Sequence, residues 1–284
     1  MKRSHFQIVP RLLTDGSILP VSVYTTVNGA PHLVARAGNE IDFSVLTNLE
    51  SDHLWIKTED LSAWAAFLEN NFGSSSIGAD THEAFATALV CRLSILGENP
   101  TLPHHFKRLK VYVDKLATMS LLDLETVMQT RTMSTAPKNL QTIVWCTVII
   151  NYLVVNVFSD PKQSFSKHSV VWASLLMVLS DAVVDDANDS AILFDPFALM
   201  SILATHAPVD PCTHNAIMQC MERPDGSGTP FGLTGEQISA EGGCLAFCFR
   251  TAKTWPYQTF RLAQLQPLIR SFELESRGSS SAFT

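Results

Sequence analysis

The chain has 284 residues, of which 46% are hydrophobic and 17% charged, and its 20 basic and 27 acidic residues give a net charge of −7. This length and hydrophobic content are enough to bury a substantial core, so one large or two ordinary globular domains are expected. The acidic balance argues against a nucleic-acid polymer as partner, because such binders depend on clustered Lys and Arg.

The N-terminal segment and the cysteines predict a cytoplasmic protein. A secretory signal needs an apolar run after its basic start, but Gln7, Pro10, Arg11 and Asp15 interrupt this segment. The cysteines are too sparse for a disulfide framework, and a reducing compartment would keep them as thiols. They are Cys91, Cys146, Cys212, Cys220, Cys244 and Cys248.

The first seventy residues predict a small α+β domain. Apolar and β-branched residues alternate from Val21 to Val27, Asn28-Gly29 is typical of a type I′ hairpin, and Leu33 to Ala35 resumes an extended run. A β-hairpin is therefore expected, formed by strands on either side of Asn28-Gly29.

The rest of this domain completes a predicted β-β-(α)-β-α order. Phe43 to Leu49 fits a short helix, Leu54 to Ile56 a third strand, and the apolar spacing from Leu61 to Leu68 a longer helix. We place the domain at residues 1–72 and a small, Ser- and Gly-rich linker at 73–79.

Beyond the linker, nearly every periodic segment predicts a helix, so the second part is expected to be an all-α bundle. Ser166 is available to cap one helix, and Asp185 to Asp189 forms a charged loop. The apolar run Ile143 to Phe158 is short for a membrane span and contains two asparagines, which favours a buried core helix. The predicted helices are Phe85 to Leu96, Phe106 to Met119, Leu121 to Thr130, 140–158, Ser166 to Leu179, Pro196 to Thr205, Cys212 to Met221, Ala240 to Lys253 and Pro267 to Leu274.

The most informative motif is Glu222-Arg223-Pro224-Asp225-Gly226-Ser227-Gly228-Thr229-Pro230, continued to Ile238. It resembles the signature of the HD-GYP family, bacterial phosphodiesterases that hydrolyse cyclic di-GMP at an iron site inside a helical domain. Members of that family present His-His-Glu-x-x-Asp-Gly-x-Gly-Tyr-Pro here, and the two histidines ligate metal. In this chain Cys220 and Met221 stand at the histidine positions, and Thr229 replaces the tyrosine.

Most other ligands that the resemblance implies have no counterpart in this sequence. His168, near the start of the bundle, and Glu222 are the two ligand-like positions, but no His-Asp dipeptide occurs in the chain. The family's aspartate on the helix after the loop falls in Ala246 to Arg250, which contains no carboxylate. A dinuclear site needs several converging His and carboxylate ligands, so we expect no catalytic residue, metal or cofactor.

The resemblance also sets the expected architecture. It implies an α+β N-terminal domain followed by an all-α HD-GYP-like helical bundle. The connecting helical segment would span residues 80–160, the degenerate HD-GYP-like domain 161–277 and a flexible tail 278–284.

The loop has two interpretations. Its glycines, Asp225 and Pro230 define a rigid turn that could simply close the bundle. Alternatively, it is a surviving binding surface, since the family's motif is associated with contacts to diguanylate cyclase (GGDEF) domains. The residues of this surface are Glu222, Arg223, Asp225, Gly226, Ser227, Gly228, Thr229 and Pro230.

We therefore predict a catalytically inactive HD-GYP-like protein that acts in cyclic di-GMP-linked signalling, through protein contacts or ligand sensing. Its expected partners are a signalling protein such as a diguanylate cyclase, or cyclic di-GMP itself. A homodimer is a further arrangement that an apolar bundle allows. The alternatives are an active phosphodiesterase with an atypical metal site and a structural subunit of a larger assembly.

Other combinations of residues give weaker signals. Cys244 and Cys248 share a helical face and could join other thiols and His214 in a zinc site, but their spacing matches no common zinc pattern. His104 and His105 are expected to begin a solvated helix. No nucleophile elbow, phosphate-binding loop or dinucleotide fingerprint is present in the sequence.

Overall fold

The computed structural model describes residues 5–13, 16–40, 54–71, 81–100, 103–158, 165–183, 195–254 and 265–276. The chain divides into two compact units, one within Met1–Ile95 and Gln129–Ala136, the other within Leu96–Met128 and Pro137–Thr284. The domain boundaries proposed from the sequence stay predictions. Four predicted features lie outside the described residues: the helix from Phe43 to Leu49, the linker 73–79, the loop from Asp185 to Asp189 and the tail 278–284.

The described residues of the first unit include a four-stranded antiparallel sheet. Its strands are β1 (His5–Ile8), β2 (Val23–Val27), β3 (Ala30–Ala35) and β4 (Leu54–Lys57), in the order β1-β4-β2-β3. Asn28 and Gly29 join β2 to β3 with φ angles of 51° and 78°. Positive φ at both positions is what a type I′ turn requires, so the predicted hairpin is confirmed.

The helices follow in chain order. They are α1 Leu61–Asn71, α2 Thr81–Glu98, α3 Pro103–Thr118, α4 Leu121–Met128, α5 Arg131–Thr135, α6 Lys138–Asn156, α7 Lys167–Leu176, α8 Val178–Val183, α9 Pro196–His206, α10 Pro211–Gln219, α11 Ala240–Thr254 and α12 Gln266–Ser276. Short 3-10 helices span Pro10–Leu12, Thr58–Asp60 and Gly235–Gln237.

A buried ion pair joins α1 to α2 in the first unit. Arg92 donates from Nε and Nη2 to the two carboxylate oxygens of Glu69, each at 2.7 Å. The Arg92 side chain is almost fully buried, and this paired geometry compensates part of the cost of removing its charge from water.

The second unit is built around α6, which packs against α4, α7, α8 and α11. Thr147 and Ser174 form a buried hydroxyl pair at 2.8 Å between α6 and α7, and Asn151 donates to the Thr147 carbonyl at 2.8 Å. Among the described residues α6 is long and apolar enough to span a membrane, but 67% of that stretch is buried inside the protein. This burial is what the sequence predicted for a core helix.

The structure breaks one predicted helix in two and adds one helix that the sequence did not predict. The segment after Ser166 forms two helices, since α7 ends at Leu176, where Met177 donates its N–H to the Ser174 carbonyl, and α8 begins at Val178. The segment that was predicted to end at Thr130 ends at Met128, and the additional helix α5 follows. The Ser166 cap is confirmed, since its hydroxyl accepts the Ser169 N–H.

Candidate functional site

The loop that carries the motif connects α10 to α11. Asp210 caps α10 by accepting the Thr213 N–H at 3.0 Å, and Pro211 occupies the first turn, where no N–H donor is needed. The helix ends at Gln219, so Cys220 and Met221 already belong to the turn that leads to Glu222. The connection that follows this turn, residues 222–238, is named the 222–238 loop.

Glu222 holds this loop together from the inside. Its side chain is 1% exposed, and its two oxygens accept the backbone N–H groups of Phe231 at 2.7 Å and Leu233 at 2.9 Å. A buried carboxylate is stable only when such donors compensate for lost water. Both oxygens of the Glu222 carboxylate are therefore engaged by the backbone of the loop.

The first half of the loop is a turn fixed by Asp225. Gly226 donates its N–H to the Arg223 carbonyl at 2.9 Å and has a φ of +78°, a conformation that favours glycine. Asp225 Oδ1 accepts the Ser227 hydroxyl at 2.6 Å and the Ser227 N–H at 2.9 Å, and these bonds lower the pKa of the Asp225 carboxyl. This is the geometry of an Asx-turn, in agreement with the rigid turn that the sequence predicts at Asp225.

The second half of the loop folds back on the first. Asp225 forms an antiparallel bridge with Thr234, and Gly235 donates its N–H to the Pro224 carbonyl at 3.0 Å. A Cβ on Gly228 would overlap the backbone of Glu222 and Arg223, so only glycine fits there. Thr229 and Pro230 are exposed and are joined by a cis peptide bond.

The positions where the family places metal ligands contain other groups here. Cys220 is fully buried and Met221 half-buried, while Ala246, Phe247 and Cys248 on α11 are buried. Among the described residues, no group of three or more His, Cys, Asp or Glu side chains is placed to hold a metal ion. The irons that the resemblance implies do not fit the donors in this part of the chain.

Four thiols lie near one another in the core of the second unit, but they do not form a metal site. Cys244 and Cys248 are 4.0 Å apart on α11, and Cys146 on α6 lies close to Cys244 and Cys220. Burial raises the pKa of Cys146, Cys220 and Cys248. Within the described residues these thiols are not part of any group of three or more His, Cys, Asp or Glu side chains placed to hold a metal ion.

His168 lies on the surface of the second unit. Its side chain is 57% exposed, and Nε2 is 3.9 Å from Asp114 Oδ1 on α3. The structure places no contact between His168 and Glu222, so the two ligand-like positions are not brought together.

Arg250 on α11 lies beside the start of the loop. Its Nη1 donates to the Glu222 carbonyl at 3.5 Å. Burial, and after it the nearby charge of Arg223, lowers the pKa of the Arg250 guanidinium. The two arginines thus give this side of the loop a positive character.

Hydrogen bonds between caps fix the helices on either side of the loop. Ser169 on α7 donates to Asp210 at 2.9 Å, and the Ser166 N–H donates to Glu241 in the first turn of α11 at 3.1 Å. Gln219 accepts the Ser239 N–H at 2.7 Å, which joins the end of α10 to the start of α11. These bonds fix the end of α10 and the start of α11, which the 222–238 loop connects.

An exposed aromatic pair was missed by the sequence analysis. Phe231 in the loop and Phe197 on α9 are 52% and 54% exposed, and their rings meet edge to face with centroids 5.9 Å apart. The pair joins residues 34 positions apart, and no periodic pattern could reveal it. Exposed aromatic side chains in contact are typical of a binding surface.

Comparisons with known proteins give one structural match and no sequence match. No protein-family model matches the chain, and no curated protein matches its sequence significantly. The structure is similar to that of Bd1817, a HDG"Y"P protein from Bdellovibrio bacteriovorus, with a TM-score of 0.59 and 15% sequence identity. The similarity covers 95% of this chain and 94% of that chain.

The chain has an HD-GYP-like fold. The predicted helical HD-type architecture, with a small antiparallel sheet in the chain's first unit, is confirmed at this level. At 15% identity the similarity shows the fold and does not show the chemistry of the site.

Proposed function

We propose that this chain is an HD-GYP-like binding module that does not hydrolyse cyclic di-GMP and acts in signalling linked to that nucleotide. The observation that supports this most directly is the Glu222 carboxylate, both of whose oxygens accept backbone N–H groups of the loop. A carboxylate that closes a loop in this way is not available to bridge metals. The thiol and thioether of Cys220 and Met221 stand where the resemblance calls for imidazoles.

The binding surface in this proposal is formed by the exposed part of the 222–238 loop and one residue of α9. Phe231 and Phe197 provide its apolar centre, and Arg223 and Asp225 its charged rim. An apolar centre with a polar rim is the usual anatomy of a protein interface. A GGDEF domain is the partner class that the family resemblance suggests.

A metal and activity measurement tests the absence of catalysis. The protein is purified after growth with iron and manganese, its metal content is determined, and cyclic di-GMP is added with either metal in excess. We expect less than stoichiometric metal and no linear dinucleotide. Formation of the linear dinucleotide together with bound metal would establish the alternative, an active phosphodiesterase with an atypical site.

A binding measurement tests the surface. Phe231→Ser and Phe197→Ser should each weaken binding to a purified GGDEF domain by about tenfold, as loss of a central aromatic contact does. Leu122→Ser is the matched control, since Leu122 is a 68% exposed apolar residue on α4. Equal binding by all four proteins, or no binding by the wild type, would exclude this surface as the GGDEF interface.

A calorimetric titration with cyclic di-GMP separates the remaining alternatives. Heat of binding that Arg223→Ala removes would indicate ligand sensing at the loop. No nucleotide binding, together with a stable complex with a protein that is not a GGDEF domain, would instead agree with a structural subunit.

A further inference from the structure

The outward face of α3 is basic, although the chain as a whole is acidic. The opposite face is buried and includes Phe106, Leu109, Val113 and Leu116, and it packs against α7. The exposed residues at helical spacing include His104, Lys107, Arg108, Lys110, Val111 and Asp114. The pattern is that of an amphipathic helix whose polar stripe is cationic.

The charge of this helix differs in sign from that of the whole protein. Four lysine and arginine side chains in α3, against the single carboxylate of Asp114, give the helix a net charge of +3, whereas the whole chain carries −7. Charges farther apart than about 8 Å are largely screened at physiological salt, so the exposed Lys107 and Lys110 act on a partner at α3 more strongly than distant acidic residues do. The surface is suited to an anionic partner.

The start of α7 extends the same surface. His168 Nε2 is 3.9 Å from Asp114 Oδ1, so the acidic residue of the stripe faces an imidazole. Lys167 precedes it and is half-buried, and this burial lowers the pKa of its amine. His168, which the sequence suggested as a ligand-like residue, thus belongs to the basic surface in the structure.

An apolar residue lies in the middle of the stripe. Val111 is 55% exposed and is one turn from Lys107 and Arg108 along the helix. A surface with an aliphatic side chain at its centre and cations around it is complementary to a partner that has an apolar side chain surrounded by carboxylates.

We propose that the α3 surface, formed by Lys107, Lys110 and Val111, binds an acidic segment of a partner protein that carries an apolar residue among its carboxylates. A bilayer fits less well, because the apolar residues that would enter lipid are packed inside the second unit. Nucleic acid also fits less well, since its affinity comes from many phosphate contacts made by clustered Lys and Arg, whereas the α3 surface has Asp114 beside its lysines and the whole chain is acidic.

Two synthetic peptides of equal charge test the proposal, one with Glu-Glu-Leu-Glu repeats and one with serine in place of leucine. The wild type should bind the leucine peptide about tenfold more tightly, and its affinity should fall as salt is raised. Val111→Ser should remove the preference for leucine. The double variant Lys107→Glu/Lys110→Glu should weaken binding about tenfold or more.

The matched control is Arg36→Glu/Lys138→Glu, which makes the same change in net charge at exposed positions that do not belong to α3. It should bind within about twofold of the wild type. Circular dichroism and thermal unfolding verify that each variant is folded. Three outcomes would overturn the proposal: no peptide binding by the wild type, equal losses in both double variants, or tighter binding to anionic vesicles or a DNA oligonucleotide than to the leucine peptide.

Discussion

Glu222 Oε1 accepts the backbone N–H of Phe231 at 2.7 Å, so a fully buried carboxylate fixes a residue whose ring is half exposed. The two residues are nine positions apart, and the bond closes the loop across that distance. The position of the Phe231 ring against Phe197 therefore depends on the buried side chain of Glu222.

The first unit contains a second carboxylate of the same kind. Glu83 on α2 is 2% exposed, and its oxygens accept the backbone N–H groups of Arg131 at 2.9 Å and Thr132 at 2.8 Å. These donors are the first N–H groups of α5, which have no partner within that helix. Glu241 acts in the same way, since it is 6% exposed and accepts the Ser166 N–H at 3.1 Å, so the described part of the chain uses buried glutamates three times to satisfy backbone donors of another segment.

Glu222→Ala should destabilise the second unit and release the loop. It leaves the N–H groups of Phe231 and Leu233 without their charged acceptor, and the loss of these two part-buried hydrogen bonds costs about 2–4 kcal/mol. Glu222→Gln keeps one acceptor oxygen and should lose roughly half as much. Urea unfolding measures both free energies.

Glu236→Gln is the control for this pair, because Glu236 is exposed on the same loop. Its free energy of unfolding should stay within about 0.5 kcal/mol of the wild type. If Glu222→Ala changed the free energy of unfolding as little as Glu236→Gln does, the hydrogen bonds of Glu222 would not be stabilising the loop.

Gly228→Ala should be among the most harmful single-methyl additions in the loop. The new Cβ would lie 2.6 Å from the Glu222 carbonyl carbon and still closer to two other backbone atoms of residues 222 and 223. Backbone cannot move aside as a flexible side chain can, so we expect a loss of about 2–3 kcal/mol. The same substitution at Gly243, where the nearest atom is 3.7 Å away, should not destabilise the protein, and equal effects at both sites would contradict the close approach.

The elements that the sequence predicted well are marked by residues within them or next to them in the chain. Ser166 and the apolar spacing after it mark α7, and Asn28-Gly29 marks the hairpin. The elements it missed depend on contacts remote in sequence. Helix α5 has Thr130 as its N-cap, but its first N–H groups donate to Glu83, which lies 48 residues before Arg131. Apolar spacing continues through Met177, where the chain breaks between α7 and α8.

The same limit applies to the site. The loop residues could be predicted because their order in the sequence resembles a known motif. The engagement of Glu222 by Phe231 and Leu233, and the contact of Phe231 with Phe197, arise only when the loop folds back and α9 lies beside it. His168 was predicted by its position in the chain, but its exposure is decided by how α7 packs on α3.

Gly242 and Gly243 are adjacent in α11 and should respond to alanine in opposite directions. A Cβ at Gly242 would lie 2.6 Å from Gln219 Oε1 and 2.7 Å from Gln219 Cβ, and that Oε1 already accepts the Ser239 N–H. Gly242→Ala should therefore cost about 1–2 kcal/mol. Gly243→Ala meets no such contact and should gain up to about 1 kcal/mol from helix propensity. Thermal unfolding of the two variants measures the difference, and a gain in both would show that α10 and α11 are less closely packed here.

Asp210 should make the stability of the second unit depend on pH in acid. Burial raises the pKa of its carboxyl, but hydrogen bonds from Thr213 and Ser169 outweigh this effect, and the pKa lies below its ordinary value. A carboxyl with a depressed pKa in the folded state contributes stability that is present above the unfolded pKa of about 3.9 and is lost as pH falls through the folded pKa. Asp210→Asn should thus be less stable than the wild type at pH 6, and the difference should shrink toward pH 3. Thr213→Val removes one of the hydroxyl donors to Asp210, so its stability should depend less on pH than that of the wild type. Thermal midpoints measured from pH 3 to 6 test this prediction. A constant difference in midpoint between the wild type and Asp210→Asn over this range would contradict the lowered pKa of Asp210.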